Sequence, residues 1–285
     1  MLAGLSLVFA YAPYALWWLS LIAPLVLIHA VKVSPTAKQA AIYGLFFAFG
    51  WFASGISWVH VSIDQFGGLP LIISLLLMLL LCLYLAIYPA LACYLTYRLS
   101  QKNTINLWLF PSLWLFTEYL RSVVMTGFPW LSLGYSQINS PLSVFAPVIG
   151  EVGITFILLS LIVAIYQLIT FIAASGFQKK ICSPIQAVTV IALTFALTFI
   201  INTQQWVKVT GKQVSVALIQ GNIEQSIKWQ PEQEWPTMLK YLDLTRVNYD
   251  ADIIIWPESA IPAMEPAVQD FLSTVNQSAL FNEST

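Results

Sequence analysis

A bundle of membrane-crossing helices followed by the opening of an α/β domain is the fold class that this sequence predicts, and three observations carry it. Of 285 residues, 59% are hydrophobic and only 9% are charged, and the mean hydropathy is +0.78; a water-soluble globule is never this oily. Apolar runs of about 20 residues, the length that crosses ~30 Å of hydrocarbon, recur through the first 203 residues. From Lys208 onward charges fall every few residues and no further run is long enough to span. The sequence therefore divides into a membrane domain, 1–203, and an extramembrane part, 204–285. A net charge of −1 supplies no basic field for a phosphate backbone, so nucleic acid is excluded as a partner.

The apolar runs lie at 16–32, 38–61, 69–97, 105–124, 150–175 and 186–203. A shorter segment precedes them, "MLAGLSLVFAYA", which as a helix would reach only ~18 Å. Its "AYA" resembles a signal-peptide cleavage site, but no positive stretch precedes it. Counted as a short first span, it brings the expected total to about seven. Lys32 and Lys38 fall in the second connection, Arg98 and Lys102 in the fourth, Lys179 and Lys180 in the sixth, whereas the odd connections hold only Arg121. Positive residues mark cytoplasmic connections, so everything after residue 203 is expected outside, in the periplasm if the cell is Gram-negative.

The polar part reads as strand, helix, strand. "VSVALIQ", Val214 to Gln220, is rich in β-branched residues and ends at Gly221-Asn222, a turn signal. "EQEWPTMLKYLDLTRVNY", Glu232 to Tyr249, repeats apolar residues at helical spacing, with acids early and Arg246 late as the helix dipole favours. "DIIIWP" then reads as a buried strand, and a second helix is expected from Glu265. About 80 residues with two strands bury little surface against chain entropy, so this piece is expected to be loose beside a well-formed bundle.

Glu258 stands just past the end of the second strand, between Pro257 and Pro262. Strand ends in α/β folds open onto a crevice, so the residue reads either as a positioned general base, its proton affinity raised by apolar neighbours, or as a solvated loop acid between two turn prolines. "TGFPWLSLGYSQ", Thr126 to Gln137, carries Phe128, Trp130 and Tyr135, rings that favour the headgroup level; it reads as a plain aromatic belt or as a rim that guides a lipid tail. Glu118 and Arg121, three apart in a greasy stretch, can pair with each other, headgroup contact being the alternative. Glu151 reads as a solvated acid at a helix start. His29 and His60 have no ligand-spaced neighbours, so no metal is expected, nor any other cofactor. Cys82, Cys93 and Cys182 show neither a CxxC pair nor a disulfide framework.

"QGNIEQSIKW", followed ~30 residues later by "IIIWPESAIP" and preceded by "FGWFASGISWVHVSI" and "LRSVVMTGFPW", closely resembles the bacterial apolipoprotein N-acyltransferase family, in that order and along essentially the whole chain. The resemblance implies a membrane bundle carrying a periplasmic nitrilase-like (αββα) domain in the bacterial inner membrane. It also implies a Glu-Lys-Cys triad that takes an acyl chain from a phospholipid as a thioester and passes it to the N-terminal diacylglyceryl cysteine of an apolipoprotein, the last step of lipoprotein maturation. By motif match Glu258 is the general base, and Trp229 the tryptophan beside the active site. Glu224 departs from the proline that commonly follows "QGNI" in the family. Residues 204–285 contain no cysteine, and Lys208, Lys212, Lys228 and Lys240 all precede the glutamate, whereas the family's lysine follows it. The chain is therefore expected to be an N-terminal portion, inactive by itself; a lipid-binding remnant, or one half of a split enzyme, stays open beside that reading. A seven-span transporter or receptor leaves the strands and "WPES" unexplained.

Overall fold

The computed structural model describes residues 1–100, 105–173, 184–208 and 211–281. Lys102, Lys179, Lys180 and Cys182, used above, lie outside the described residues. The chain divides into two compact units, Met1–Trp206 and Val207–Thr285.

Each apolar run of the first unit becomes a helix, and local signals set where the helices start and stop. They are α1 (Leu2–Leu7), α2 (Leu19–Val33), α3 (Ala37–Gly55), α4 (Val59–Gln65), α5 (Leu71–Arg98), α6 (Phe110–Val123), α7 (Ala146–Ala173) and α8 (Ile185–Asn202). The Thr36 hydroxyl caps α3 by accepting from the Gln39 amide at 3.2 Å, satisfying one of the donors a helix start leaves open. The Asn106 side chain does the same for a short 3-10 turn ahead of α6. Pro111 in the first turn of α6 gives up no intrahelical bond there.

Among the described residues, α5, α7 with the turn before it, and α8 are long and apolar enough to cross a membrane; α3 and α4, bent by 54°, make a fourth span if counted together. The expectation of about seven spans counted apolar stretches that are not helical throughout. The run 105–124 opens on a 3-10 turn and closes on Met125 at φ 52, leaving α6 with 14 residues, ~21 Å of helix. α2 has 15 residues, and α1 has 6. Hydropathy registers apolar side chains but not where the backbone turns.

Small residues let these helices approach closely. A Cβ on Gly4 of α1 would fall 1.8 Å from the Phe47 carbonyl oxygen of α3, and one on Gly44 would fall 2.8 Å from Cys93 Sγ and 2.9 Å from Ala90 Cα of α5. Ala40, Phe47, Ala48, Trp51 and Phe52 of α3 are buried along this seam. Gly4→Val must push α1 off a backbone carbonyl, and we expect a cost of about 1–3 kcal/mol. A detergent-unfolding midpoint equal to that of the unaltered chain would contradict this close seat.

Charge separates along the first unit. Lys32 Nζ donates to the Ile105 carbonyl at 3.0 Å, and the Tyr97 hydroxyl, next to Arg98, donates to the Pro35 carbonyl at 2.8 Å, between Lys32 and Lys38. Lys32, Lys38 and Arg98 thus share one end of the bundle. The three acids of this unit, Asp64, Glu118 and Glu151, belong to the other end, reached by α3 and α6 and left by α5 and α7.

In the second unit β1 (Val216–Leu218) and β2 (Ile253–Ile255) pair in parallel, Val216 opposite Ile253 and Leu218 opposite Ile255. Parallel partners need a crossover, and α9 (Pro231–Arg246) supplies it; α10 (Gln269–Phe281) follows a 3-10 turn at Glu265–Ala267. The strands are shorter than expected. β2 is not the buried strand that its apolar run predicts: Ile255 is 47% exposed, because α9 covers one face of a two-stranded sheet and no described element covers the other. Its small core gathers Ile219, Tyr241 and Ala260 with the half-buried Ile254 and Trp256.

A polar latch holds the strand pair at its start. The Asp252 carboxylate accepts from the Ser215 amide at 2.7 Å and the Ser215 hydroxyl at 2.8 Å, while the Asp252 amide donates back to Ser215 Oγ at 2.9 Å. The backbone and then the hydroxyl of Ser215 hold the Asp252 carboxyl below its ordinary range. A depressed folded-state value means that the contribution is complete above the unfolded aspartate pKa, about 3.9, and is lost as pH falls through the folded value. We expect amide protection of Ser215, corrected for intrinsic exchange, to be level from pH 7 to 5 and to drop only under stronger acid. An equal drop in Asp252→Asn would assign the loss to another group.

Candidate active-site carboxylate and aromatic connection

The turn that carries Glu258 is fixed at both ends. On the strand side, the Ile219 amide donates to the Ile255 carbonyl at 2.9 Å, and Trp256 lies against Tyr241 with ring centroids 5.4 Å apart. The Trp256 indole donates to Thr245 Oγ1 of α9 at 2.9 Å. On the far side the Ala260 amide closes the turn on the Pro257 carbonyl at 3.2 Å, and Ala260 is buried in the core. Ser259 takes φ 53, the left-handed region that a tight turn demands. Glu258 projects from this anchored turn and is exposed; the apolar surroundings expected for a general base are not built by the described residues.

Parallel pairing sends the chain out of β1 and β2 at the same sheet edge, so the segment from Gly221 to Trp229 and the Glu258 turn leave from one side, the edge on which α/β folds place their chemistry. Gly221 is required there, because a Cβ would meet the Tyr241 ring at 2.7 Å. Trp229 ends the segment just before α9, is 59% exposed and has Lys228 Nζ 5.6 Å from its ring centroid, a cation–π arrangement. A carboxylate, an ammonium and an indole thus leave the same edge of the sheet. Among the described residues of this unit there is no thiol.

In the first unit the connection 126–137 is built by buried charge. Arg121 is 3% exposed. Its Nη1 donates to the Phe128 carbonyl at 2.8 Å and the Trp130 carbonyl at 2.6 Å, its Nη2 to Glu118 Oε1 at 3.1 Å, and its guanidinium lies 5.4 Å from the Phe52 ring centroid. The Glu118–Arg121 pair expected from the sequence is present, but most of the fork is spent on the loop backbone, which no residue pattern announced. Glu151, expected to be a solvated helix-start acid, instead accepts from the Ser132 hydroxyl at 2.5 Å. It lies one residue past Gly150, where φ 64 breaks the helix. Tyr11 donates to the Leu131 and Ser132 carbonyls at 3.3 and 3.2 Å, and Gly134 packs where a Cβ would meet the Glu151 carbonyl at 2.2 Å.

With its backbone tied down, the connection seats Phe128 partly against the bundle core and presents Trp130 and Tyr135 outward. Phe128 is half-buried against Trp130, centroids 5.2 Å apart, while Trp130 and Tyr135 are 55% and 56% exposed. Cys82 and Cys93 are free and buried within the helices. His29 Nδ1 meets the Tyr166 hydroxyl at 3.1 Å and His60 Nδ1 meets the Ser57 carbonyl. No three His, Cys, Asp or Glu among the described residues could hold a metal ion.

Apolar spanning helices with an anchored aromatic connection, joined to a βαβ unit that exposes a carboxylate at a strand end, define a membrane protein with an appended α/β unit. Residues 3–165 match the family described as the apolipoprotein N-acyltransferase N-terminal domain. Apolipoprotein N-acyltransferase of Vibrio cholerae serotype O1 is 47% identical over 282 residues, covering 96% of this chain and 53% of its own. That of Shewanella oneidensis is 44% identical over 287 residues, 99% and 53%, and that of Coxiella burnetii 36% over 282 residues, 98% and 56%. The chain belongs to the apolipoprotein N-acyltransferase family, and it spans about half the length of these curated relatives.

Proposed function

We propose that this chain is the lipid-binding and base-supplying part of an apolipoprotein N-acyltransferase, with Glu258 as the general base. The observation that carries the reading is the anchored Glu258 turn at the C-terminal edge of parallel strands, in a chain whose relatives bear that name. In this reading the second unit is the start of a nitrilase-like domain on the periplasmic side of the inner membrane, and residues 1–203 form the membrane domain. The shared end of Lys32, Lys38 and Arg98 supports that orientation, since positive residues stay with the cytoplasm.

The chemistry needs a thiol. Glu258 takes the thiol proton, the thiolate attacks the ester carbonyl of a phospholipid, and the lysophospholipid leaves with the proton. The lipoprotein's α-amine then attacks the thioester, Glu258 receives the amine's proton, and the amide and the free thiol form. Trp229 flanks this site, and Phe128, Trp130 and Tyr135 form a rim that guides the acyl chain. Residues 207–285 carry no cysteine, Cys82 and Cys93 are buried in the first unit, and Cys182 falls in the connection that Lys179 and Lys180 assign to the cytoplasm, so in this reading the thiol lies outside these residues, as does the lysine that follows the glutamate in the family's triad. That same observation favours a second reading, in which the chain binds lipid without catalysis or serves as one half of a split enzyme.

The test is a host depleted of its own enzyme. We expect mass spectrometry of a lipoprotein's N-terminal peptide to show N-acylation when this chain is supplied together with a second polypeptide bearing the thiol and the ammonium, and none with either alone. N-acylation by the second polypeptide alone would move the function to the non-catalytic reading.

A further inference from the structure

The Lys32 end of the first unit contains a cavity of about 610 Å³ that the acyl-transfer reading does not use. It opens between the last turns of α2 and α7 and the first turn of α8, at the opposite end of the bundle from the Phe128–Tyr135 connection. Leu107 and Phe171 contribute apolar wall, while Lys32, Tyr166, Gln167 and Gln186 place polar groups around it. The Lys32 ammonium gives one hydrogen bond to the Ile105 carbonyl at 3.0 Å, which holds it at the rim. An ammonium has three donors, so the fixed charge can serve a further acceptor. Lys38 and Arg98 stand at the same end, and the three acids of the unit at the other, so an anion entering here meets a positive field.

Volume, wall and charge match one kind of ligand. Pockets of 300–1,000 Å³ with apolar lining and a few convergent polar groups hold small molecules, and basic pockets between helices at a positive membrane face take lipid headgroups. α8 is largely exposed along its apolar length, which leaves room for acyl tails to run down the bundle from such a headgroup. We propose that this cavity binds the phosphodiester headgroup of an anionic phospholipid, with the phosphate on Lys32 and with Gln167 and Gln186 as neutral donors. The bound lipid bridges α2, α7 and α8, and it is distinct from the acyl donor.

Native mass spectrometry of the purified full chain tests this with dioleoylphosphatidylglycerol, dioleoylphosphatidylethanolamine and inorganic phosphate as probes. We expect one phosphatidylglycerol to be retained in preference to phosphatidylethanolamine, with Lys32→Gln weakening that retention about fivefold, the worth of one lysine at a charged membrane face. Gln186→Leu, which leaves the Lys32–Ile105 bond intact, is expected to weaken it too and covers the case in which Lys32→Gln does not fold. Equal retention of the two lipids, or variants that bind phosphatidylglycerol as the unaltered chain does, would overturn the proposal. Displacement of the lipid by millimolar inorganic phosphate would reassign the cavity to a free phosphate and overturn the lipid assignment.

Discussion

Glu258→Gln is expected to cut the yield of acyl-thioester by two to four orders of magnitude, the usual worth of a positioned base, when this chain acts with a polypeptide that brings the thiol. The amide keeps the shape of the carboxylate but takes up no proton. Little else is expected to change. Glu258 is exposed, and the turn is held by bonds that do not involve its side chain: Trp256 to Thr245, Ala260 to Pro257, and Ile219 to Ile255. The unfolding midpoint is therefore expected to match that of the unaltered chain. A fall in thioester accompanied by an equal fall in folded protein would assign Glu258 to structure. Unaltered thioester with intact fold would remove it from catalysis and favour the non-catalytic reading.

Arg121→Ala is expected to have the largest effect on the membrane unit. Removing the guanidinium leaves the Phe128 and Trp130 carbonyls without their donor and Glu118 without its partner in a site where Arg121 is 3% exposed. Breaking a buried pair from one side costs about 3–5 kcal/mol, because the remaining charge and acceptors stay desolvated. Arg121→Lys is expected to recover part of this: one ammonium keeps the charge but lacks the planar fork that reaches two carbonyls and a carboxylate together. Limited proteolysis between Thr126 and Gln137, followed alongside thermal unfolding in detergent, checks both. Cleavage as slow in Arg121→Ala as in the unaltered chain would show that the connection is held by its own packing.

The same arginine shows what the sequence could and could not disclose. Glu118 and Arg121 at helical spacing announce a pair, and that pair forms at 3.1 Å. Two of Arg121's acceptors, however, are main-chain carbonyls of residues seven and nine further on, and a carbonyl carries no signature of residue type. Glu151 is a similar case: an acid at a helix start reads as solvated, whereas its partner, Ser132, is brought to it by the fold. The positions of the helices were legible because apolar side chains repeat along them, but their ends were not. Apolar residues fill the non-helical turns around Leu107 and Val124 as readily as they fill helices.

In the second unit the order strand, helix, strand was readable from β-branched runs on either side of a helical repeat, and parallel pairing followed from it. Burial of β2 was not readable, since an apolar run states that a strand can be covered and not what covers it. The turn at Glu258 was marked by Pro257 and Pro262, whereas its anchoring by Trp256 and Ala260 depends on where α9 packs. The Asp252–Ser215 latch joins residues 37 apart in the chain and has no local signal.

In the proposed reading Glu258 serves acyl transfer only as the base for a thiol that these 285 residues do not place beside it. The most direct test of that reading is to incubate the purified chain with vesicles of phospholipid carrying a labelled acyl chain and to weigh the intact protein. We expect no covalently bound acyl group on the chain by itself, and a thioester on the second polypeptide, dependent on Glu258, once that polypeptide is added. Labelled acyl on these 285 residues alone would contradict it.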